Sequence, residues 1–474
     1  MLGDIPLKVI DLPPALIPVL EALRRVGRPR LVGGCVRDQL LNLTPGDIDI
    51  EVADTDFDQL HAALRPFGST DVVGRSFGVI KLRRHDVEYD FALPRRESKT
   101  GRGHRGFKVQ PDPSLSDTEA AARRDFTINA MAWDPFSQQL IDPHHGQQDL
   151  AAKRLRHTSE AFVEDPLRVL RAMQLAARFD FTLAPETAAL GQTMVPEAAS
   201  LSLSRIWGEW DKWCLLSAKP ARGLEVLAQS GWINHFPELA SLVGTPQEPE
   251  WHPEGDVFVH TGHCLNALIS TENWFNAPPD RRRILMLAVL AHDFGKPATT
   301  SRIEKRGQLR WTSPGHAVAG LPLTESFLQR IGAPLRLTAP ILPLVQHHLA
   351  HVGSPHDTFS DTQVRRLSRK LAPASINDLA EVMKADARGR PPIDPEPTLT
   401  LIDRLARHAD SLALQDSAPR PLIQGRHLVS RSLKPGPSFT PIITTAYEAQ
   451  LDGAFFDENT SLNWLDRYLK SAKP

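Results

Sequence analysis

Leu31-Val32-Gly33-Gly34-Cys35-Val36-Arg37-Asp38 and, shortly after it, Gly46-Asp47-Ile48-Asp49-Ile50-Glu51-Val52 decide how the fold of this chain is read. Arg30 to Val32 reads as a strand, Gly33-Gly34 as a turn, and Val36 to Leu41 as the start of a helix. A glycine turn between strand and helix lets the backbone approach a phosphate, and the helix N-terminus offers unpaired N–H groups. Arg37 adds a charge-assisted contact suited to a triphosphate. On its own, a glycine pair is more often just a tight turn. Asp47 to Val52 alternates strictly, the period-2 pattern of a strand with one apolar face. Residues two apart on a strand share a face, so Asp47 and Asp49 converge. Two carboxylates that close repel unless a cation bridges them, and oxygen donors of this kind suit Mg2+. The bland counterpart is a solvated strand face.

Working outward, Val79 to Leu82 and Val87 to Ala92 offer two more strands around a turn at Arg84-His85-Asp86. Together these segments predict a mixed α/β head over residues 1–155. Glu88 and Asp90 share a face of the second strand, and Asp90 is the choice for a third carboxylate. Such a site implies two-metal phosphoryl transfer, one ion activating a hydroxyl and the other holding the triphosphate and the departing pyrophosphate. Arg95, Arg96, Lys99, Arg102, Arg105 and Lys108, then Arg123 and Arg124, supply the neutralising charge, although a solvated basic loop has the same composition.

Glu164-Asp165-Pro166-Leu167-Arg168-Val169-Leu170-Arg171-Ala172-Met173-Gln174 opens a helix, with carboxylates in the first turn and a proline near the start. Asp165, Arg168, Arg171 and Gln174 recur every three residues and share a polar face, while Leu167, Leu170 and Leu175 pack inward. Asp accepts and Arg donates, so a fixed Asp165/Arg168 pair suits the Watson–Crick edges of C or A. A surface ion pair at i,i+3 fits the same pattern.

LVGGCVRD, GDIDIEV, RRDFTINAMAWD and EDPLRVLRAMQLAARF stand in this order, and together they resemble the class II tRNA nucleotidyltransferase/poly(A) polymerase family over roughly residues 30–180. The resemblance implies a nucleotidyltransferase head followed by a helical neck and body. It assigns the triphosphate to Gly33, Gly34 and Arg37, Mg2+ to Asp47 and Asp49, a nucleotide contact to Arg124, and base selection to Asp165 and Arg168, with Arg171 near the nucleotide. Many members carry another arginine where this chain has Gln174, so an amide contact stands in its place. Arg95 to Asp117 matches a loop that CC-only adders lack, which implies terminal A addition. The implied activity is template-independent addition or repair of the tRNA 3′ CCA end from CTP and ATP. Poly(A) polymerase or an A-only adder is the same-chemistry alternative.

A second constellation lies downstream. His260, His292-Asp293, His316, His347-His348 and Asp386 are spread through a helical region from about Val257 to Arg390. Mixed His and carboxylate donors suit transition metals better than Mg2+. The apolar run Ile284 to Ala291 is placed to carry His292 and Asp293 into a bundle interior. Lone histidines are commonly structural, and His252, His263 and His351 are assigned to that group. VFVHTGH, LAHDFGKP, PGHA, QHH and KADARGR, however, resemble an HD-domain phosphohydrolase over about residues 255–390. The resemblance assigns His260, His292, Asp293 and Asp386 to the core metal site, and His316 with His347 or His348 to a second metal. It implies a divalent transition metal such as Ni2+, Mn2+ or Fe2+, and phosphatase, 2′-nucleotidase and 2′,3′-cyclic phosphodiesterase activities. Some bacterial CCA-adding enzymes share this order of parts.

The expected fold class is therefore multidomain α+β: a mixed α/β nucleotidyltransferase head (1–155), an all-α neck and body (156–245), an all-α HD domain (246–395) and a C-terminal tail (396–474) assigned to RNA binding. Thr245 to Pro253 reads as a linker, and Pro391 to Pro395 as a break. The 474 residues suit about three domains. Lys+Arg 55 against Asp+Glu 56 excludes an indiscriminate polycation, yet the basic residues gather between Arg95 and Arg124 and along the Arg168 helix. Three well-separated cysteines, Cys35, Cys214 and Cys264, fit a reducing compartment, and no apolar run approaches the ~20 residues of a membrane span. The acidic, proline-bearing N-terminus does not read as a signal peptide, so the expectation is cytoplasmic. A rival of another class makes the HD site the principal activity and the head a non-catalytic RNA-binding module.

Overall fold

The computed structural model describes residues 10, 12–72, 78–85, 87–99, 107–352 and 358–471, with the side chains of 97–109 outside the description. Two compact units result, Met1–His235 and Phe236–Pro474. In the first, a seven-stranded mixed sheet is built from β1 (Arg28–Val32), β2 (Ile48–Ala53), β3 (Ser69–Val72), β4 (Val79–Arg84), β5 (Val87–Ala92), β8 (Ala132–Asp134) and β9 (Gln139–Ile141). Its order is β3-β4-β5-β2-β1-β8-β9. A separate hairpin pairs β6 (Arg95–Lys99) with β7 (Phe107–Pro111). Residues 100–106 of the expected Arg95–Asp117 loop, Arg102 and Arg105 among them, lie outside the described residues, as do the Lys99 and Lys108 side chains.

The decisive stretch folds with one difference from its pattern. β2 lies inside the sheet, parallel to β5 and antiparallel to β1. From Ile50 onward it is buried on both faces, so Glu51 is buried where alternation predicts exposure. Arg123 Nη2 at 3.4 Å and Arg124 Nη2 at 3.6 Å from its Oε2 supply the compensating charge. The helix after the turn, α1 (Gly34–Leu40), begins earlier than Val36, and Gly33 holds φ +77°. That left-handed conformation costs an L side chain energy that glycine avoids.

The body is helical: α2 (Leu167–Phe179) packs against α3 (Leu203–Leu216) and α4 (Pro220–Gln229). Leu170, Met173, Ala176 and Ala177 are fully buried beside Trp210, Trp213 and Trp232. Trp213 Nε1 donates to Pro220 O at 3.1 Å, and Trp232 Nε1 to Gly191 O at 2.9 Å. Truncating a buried tryptophan of this kind costs about 3–5 kcal/mol. A two-residue parallel ladder, β10 (Arg154–Leu155) with β11 (Thr182–Leu183), joins the end of the head to the segment after α2.

The second unit centres on α6 (Pro279–Ala291), in which Leu285 to Ala291 are all buried. A helix apolar all round belongs in an interior, and α5 (Val257–Leu268), α8 (Thr338–His347) and α9 (Ile376–Arg388) surround it, with α7 (His316–Arg330) against α8 and α10 (Glu396–Ser411) against α9. Two departures from expectation occur here. A hairpin of β12 (Ser301–Lys305) and β13 (Gln308–Thr312) interrupts the helical region. The segment read as a linker is an ordered strap: Thr245 and Gln247 are buried, and Gln247 Oε1 accepts from Lys296 Nζ at 2.7 Å. The tail carries α11 (Phe439–Leu451) and α12 (Glu458–Ser471) around a small core of Ile423, Leu428, Ala446, Phe455 and Leu465. No helix among the described residues is long and apolar enough to cross a membrane.

Candidate functional site

A cleft of about 880 Å³ in the first unit is lined by Gly33, Gly34, Arg37, Asp47, Asp49, Arg124, Asp165, Arg168, Arg171 and Gln174. The strand–turn–helix of the head supplies one wall and α2 the other. Arg95, Arg123, Asp125, Asn129, Glu164, Arg178, Arg205 and Lys212 add to the lining, with Leu175 and Leu216, so eight arginines and a lysine face five carboxylates. The whole-chain charge of −1 thus conceals a locally positive cleft.

Asp49 sits at the floor. A Cβ on Gly33 would stand 3.0 Å from Arg124 Nη1 and 3.8 Å from Asp49 Oδ2, so the turn lies directly against both side chains, and its positive φ favours glycine. Burial pushes the Asp49 carboxyl up, and Asp90 and Asp47 push it further, against the pull of Arg124 and Lys81. A carboxylate disfavoured by neighbouring carboxylates fits a divalent cation with oxygen ligands. Asp90 is opposite Asp49 in the parallel register but does not line the cleft, and Lys81 Nζ lies 3.4 Å from its Oδ1.

Arg37 lines the cleft yet is buried. Nε and Nη2 donate to Asp38 Oδ1 at 2.8 and 2.6 Å, and Nη1 donates to Asn129 Oδ1 at 2.5 Å. Three of its five N–H groups are thereby engaged within the protein. Asp165 and Arg168 do not form the i,i+3 ion pair that was the alternative to base reading; they are held separately. Asp165 Oδ1 accepts from Leu167 N at 3.1 Å and Oδ2 from Arg205 Nη2 at 2.7 Å. Arg168 donates to the carbonyls of Ala161 at 2.7 Å and Arg123 at 2.6 Å. Both side chains are fixed by groups other than each other, which sets a donor beside an acceptor without one cancelling the other. Gln174 is buried in the cleft wall, and its Nε2 has no hydrogen-bond partner among the described residues. Asp125 and Asn129 lie within the RRDFTINAMAWD motif, so a signal for them was present. Arg205 and Lys212 come from α3, where spacing marks nothing.

The second unit gathers a buried donor cluster. His260, Cys264, His292 and Asp386 form one group, and Asp293, His316 and His348 another, with the ligand atoms of each group within 4.8 Å of one another. His260 Nε2 lies 3.2 Å from Asp386 Oδ1 and 3.7 Å from Asp293 Oδ2; His316 Nε2 lies 3.3 Å from Asp293 Oδ1. Asp293 therefore stands between the two groups. Nδ1 of His292, His316 and His348 donates to the carbonyls of Val289, Ser313 and Val345 at 2.7, 2.8 and 2.7 Å. A carbonyl only accepts, so in the neutral rings the proton sits on Nδ1 and the Nε2 lone pairs converge, as metal ligands require. His316 Nε2 and His348 Nε2 face each other at 3.2 Å.

The fit to a metal also rests on unsatisfied atoms. Among the described residues, His292 Nε2 and both oxygens of Asp293 are buried without a well-directed hydrogen bond, although Lys296 Nζ lies 2.7 Å from Asp293 Oδ2. Burial pushes the Asp293 carboxyl up, but His292, Lys296 and His316 hold it well below the usual carboxylate range. His260 and His292 do the same for Asp386. Burial, with His292 beside it, takes His348 down to about 3, keeping it a neutral donor. Two expectations need correction. His347 is half-buried and belongs to neither group, so His348 is the member of the adjacent pair that reaches the cluster. His252, assigned to the structural histidines, bonds through Nδ1 at 2.9 Å to the Glu254 oxygen that also accepts His260 Nδ1 at 2.7 Å. Cys264 was missed, though one turn beyond His260 on a helix is a recognisable ligand spacing. His351 is buried apart, against Met383 Sδ at 3.1 Å.

Residues 29–156 match the family model described as Poly A polymerase head domain, 180–242 that described as Probable RNA and SrmB- binding site of polymerase A, and 261–413 the HD domain. The chain is 36% identical over 404 residues to a Multifunctional CCA protein of Methylobacillus flagellatus, covering 82% of this chain and 92% of the relative. It is 38% identical over 371 residues to a Multifunctional CCA protein of Xanthomonas campestris pv. campestris, covering 76% and 85%. The crystal structure of Bacillus stearothermophilus CCA-adding enzyme in complex with CTP has a similar fold, with TM-score 0.65 at 20% identity over 97% of this chain and 99% of that one.

Proposed function

The chain belongs to the multifunctional CCA protein family, and we propose that it builds or repairs the tRNA 3′ CCA end from CTP and ATP, without a nucleic-acid template, releasing pyrophosphate. A second, HD-type phosphohydrolase activity accompanies it. The observation that carries the reading is that one cleft joins the glycine turn, the Asp47/Asp49 pair and the Asp165-to-Gln174 face.

In this reading Asp47 and Asp49 hold Mg2+, which when bound supplies Lewis-acid chemistry at the ribose hydroxyl and the triphosphate. The Gly33-Gly34 backbone and Arg124 receive the triphosphate, and Arg37 braces the turn through Asp38 and Asn129. C and A each present an amino donor beside a ring-nitrogen acceptor, whereas U and G present the reverse. Asp165 accepts from the amino group and Arg168 donates to the ring nitrogen, so both correct bases are read by one pair of side chains. Arg171 and Gln174 contact the nucleotide. The body and tail hold the tRNA acceptor arm by shape and backbone contacts.

At the second site His260, His292, Asp293, His316, His348 and Asp386 hold divalent transition metal, Ni2+, Mn2+ or Fe2+, which when bound supplies Lewis-acid activation for phosphoester hydrolysis. Residues 1–155, 156–245, 246–395 and 396–474 then act as head, neck and body, HD domain and RNA-contacting tail. A cytoplasmic setting goes with a tRNA substrate and with three free, buried cysteines.

The test is to offer the protein tRNAs ending before the first C, after CC and after CCA, with Mg2+ and CTP, ATP or both, and to sequence the products. Completion of CCA and no further growth is expected. No addition to any tRNA overturns the reading, and long A tails replace it with poly(A) synthesis.

A further inference from the structure

Cys264 stands one helical turn after His260 on α5, on the same face, and is fully buried. Its sulfur lies 3.3 Å from His260 Nε2. Two donors bonded to one ion at about 2.0–2.3 Å stand roughly 3–3.7 Å apart. Cys264 Sγ and Asp386 Oδ1, the latter at 3.2 Å, both have that separation from His260 Nε2. The sulfur lies against the Gly389 backbone, where a Cβ would stand 2.2 Å from it. Any larger residue at 389 would expel the sulfur from the group.

A second observation points to a ligand independently of the cysteine. His292 Nε2, in the same group, is buried without a well-directed hydrogen bond among the described residues, 3.2 Å from Asp293 Oδ2. Its Nδ1 is committed to Val289 O at 2.7 Å, so a bare lone pair is aimed at the space that His260, Cys264 and Asp386 enclose. His260 is committed in the same way, with Nδ1 donating to Glu254 Oε1 at 2.7 Å and lying 3.2 Å from Gly389 O.

We propose that Cys264 Sγ is a metal ligand, so that His260, Cys264, His292 and Asp386 form a sulfur-bearing position for a thiophilic divalent ion such as zinc or cobalt. Asp293, His316 and His348 form a neighbouring position with nitrogen and oxygen donors only. The inference rests on the HD reading above and adds to it a difference in softness between the two positions. On binding, the thiol proton passes to solvent and a sulfur lone pair to the ion; nothing is oxidised. A thiolate ligand selects against hard Mg2+ and for the softer end of the divalent series. The competing arrangement is an S–H···N hydrogen bond from Cys264 to His260 Nε2, which places no sulfur on the metal.

The full-length protein, stripped of metal, is titrated with Co2+ alone. A sulfur-to-cobalt charge-transfer band in the near ultraviolet is expected to grow and saturate. Cys264→Ser should take up Co2+ without that band, whereas Cys35→Ser and Cys214→Ser should keep it. X-ray absorption of the unmutated protein loaded with Zn2+ needs no variant, and should show a sulfur neighbour at about 2.3 Å. Cobalt uptake with no sulfur band, and zinc with no sulfur neighbour, overturns the proposal in favour of the hydrogen bond. No metal uptake at all by the unmutated protein overturns the HD reading itself, and the two failures are thereby told apart.

Discussion

Arg171 Nε lies 2.9 Å from Asp125 Oδ2, and this ion pair fastens α2 to the end of the head. Asp125 Oδ1 accepts from Asn129 Nδ2 at 3.0 Å and Phe126 N at 2.8 Å. Asn129 in turn accepts from Arg37, which holds Asp38, and Arg178 of the same helix returns to Asp38 Oδ2 at 3.3 Å. The two cleft walls are thus joined by one polar network that begins and ends on α2. Such a network fixes the polar face of α2 against the other wall of the cleft.

Breaking that network should be visible as a pH-dependent loss of stability. Burial pushes the Asp125 carboxyl up, but Arg171, Asn129 and the Phe126 N–H bring it below its ordinary value. A depressed carboxyl contributes stability above its unfolded pKa of about 3.9, and that stability is lost as pH falls through the folded value. Asp125→Asn is expected to cost about 3 kcal/mol at neutral pH, the low end for a broken buried pair because Arg171 is partly exposed. Below about pH 4 its melting temperature should converge with that of the unmutated protein. Parallel melting curves across this pH range would show that the pair contributes nothing.

Asp49→Asn should exchange activity for stability. The Asp49 carboxyl is raised by burial and by Asp90 and Asp47, so its ionised form destabilises the metal-free fold at neutral pH. The variant is expected to melt higher than the unmutated protein without metal, and to lose nucleotide addition by about 10³-fold or more. Mg2+ should raise the melting temperature of the unmutated protein and leave the variant unmoved. A variant that still responds to Mg2+ would place the ion elsewhere.

The sequence announced chemistry better than packing, and the reason is physical. Asp47 and Asp49, or His292 and Asp293, must stand at fixed spacing on their elements to converge, so pattern reveals them. Glu51 continues the same alternation but is buried, because its partners Arg123 and Arg124 arrive from seventy residues away. Arg205 reaches Asp165 from another helix, and no local period encodes that contact. The hairpin β12–β13 is amphipathic at best, with every residue of β12 exposed, and so lacks the apolar alternation that marks a strand. The tail's core draws Ile423 and Phe455 from segments outside its helices, which hides it from helical periodicity.

Gln174 occupies a position where an unpartnered amide is costly, and nucleotide binding is the compensation expected for it. Its Nε2 is buried at the cleft wall with no hydrogen-bond partner among the described residues. Gln174→Leu should therefore fold at least as stably, since an unsatisfied buried polar group costs about 1–3 kcal/mol. The same change should raise KM for CTP and ATP about tenfold with little effect on kcat, as loss of uniform binding does. Unaltered KM values for both nucleotides would remove Gln174 from the site.

Glu254 should govern the HD centre without touching its metal. One oxygen accepts from both His252 Nδ1 and His260 Nδ1, at 2.9 and 2.7 Å, and so fixes the ring that offers Nε2 to the cluster. Burial pushes the Glu254 carboxyl up, but the two histidines bring it down to about 2, so it is charged throughout the working range. Glu254→Gln keeps the shape, removes the charge, and leaves an amide facing two N–H donors with one oxygen. Metal affinity at the HD site is expected to fall about 10–100-fold, the usual effect of losing a carboxylate behind a histidine ligand. Hydrolysis of a 2′,3′-cyclic phosphodiester should fall with it and recover when metal is added in excess, while CCA addition, seated in the other unit, stays unchanged. Hydrolysis that excess metal fails to restore would mean that Glu254 acts on the reaction itself rather than by positioning His260.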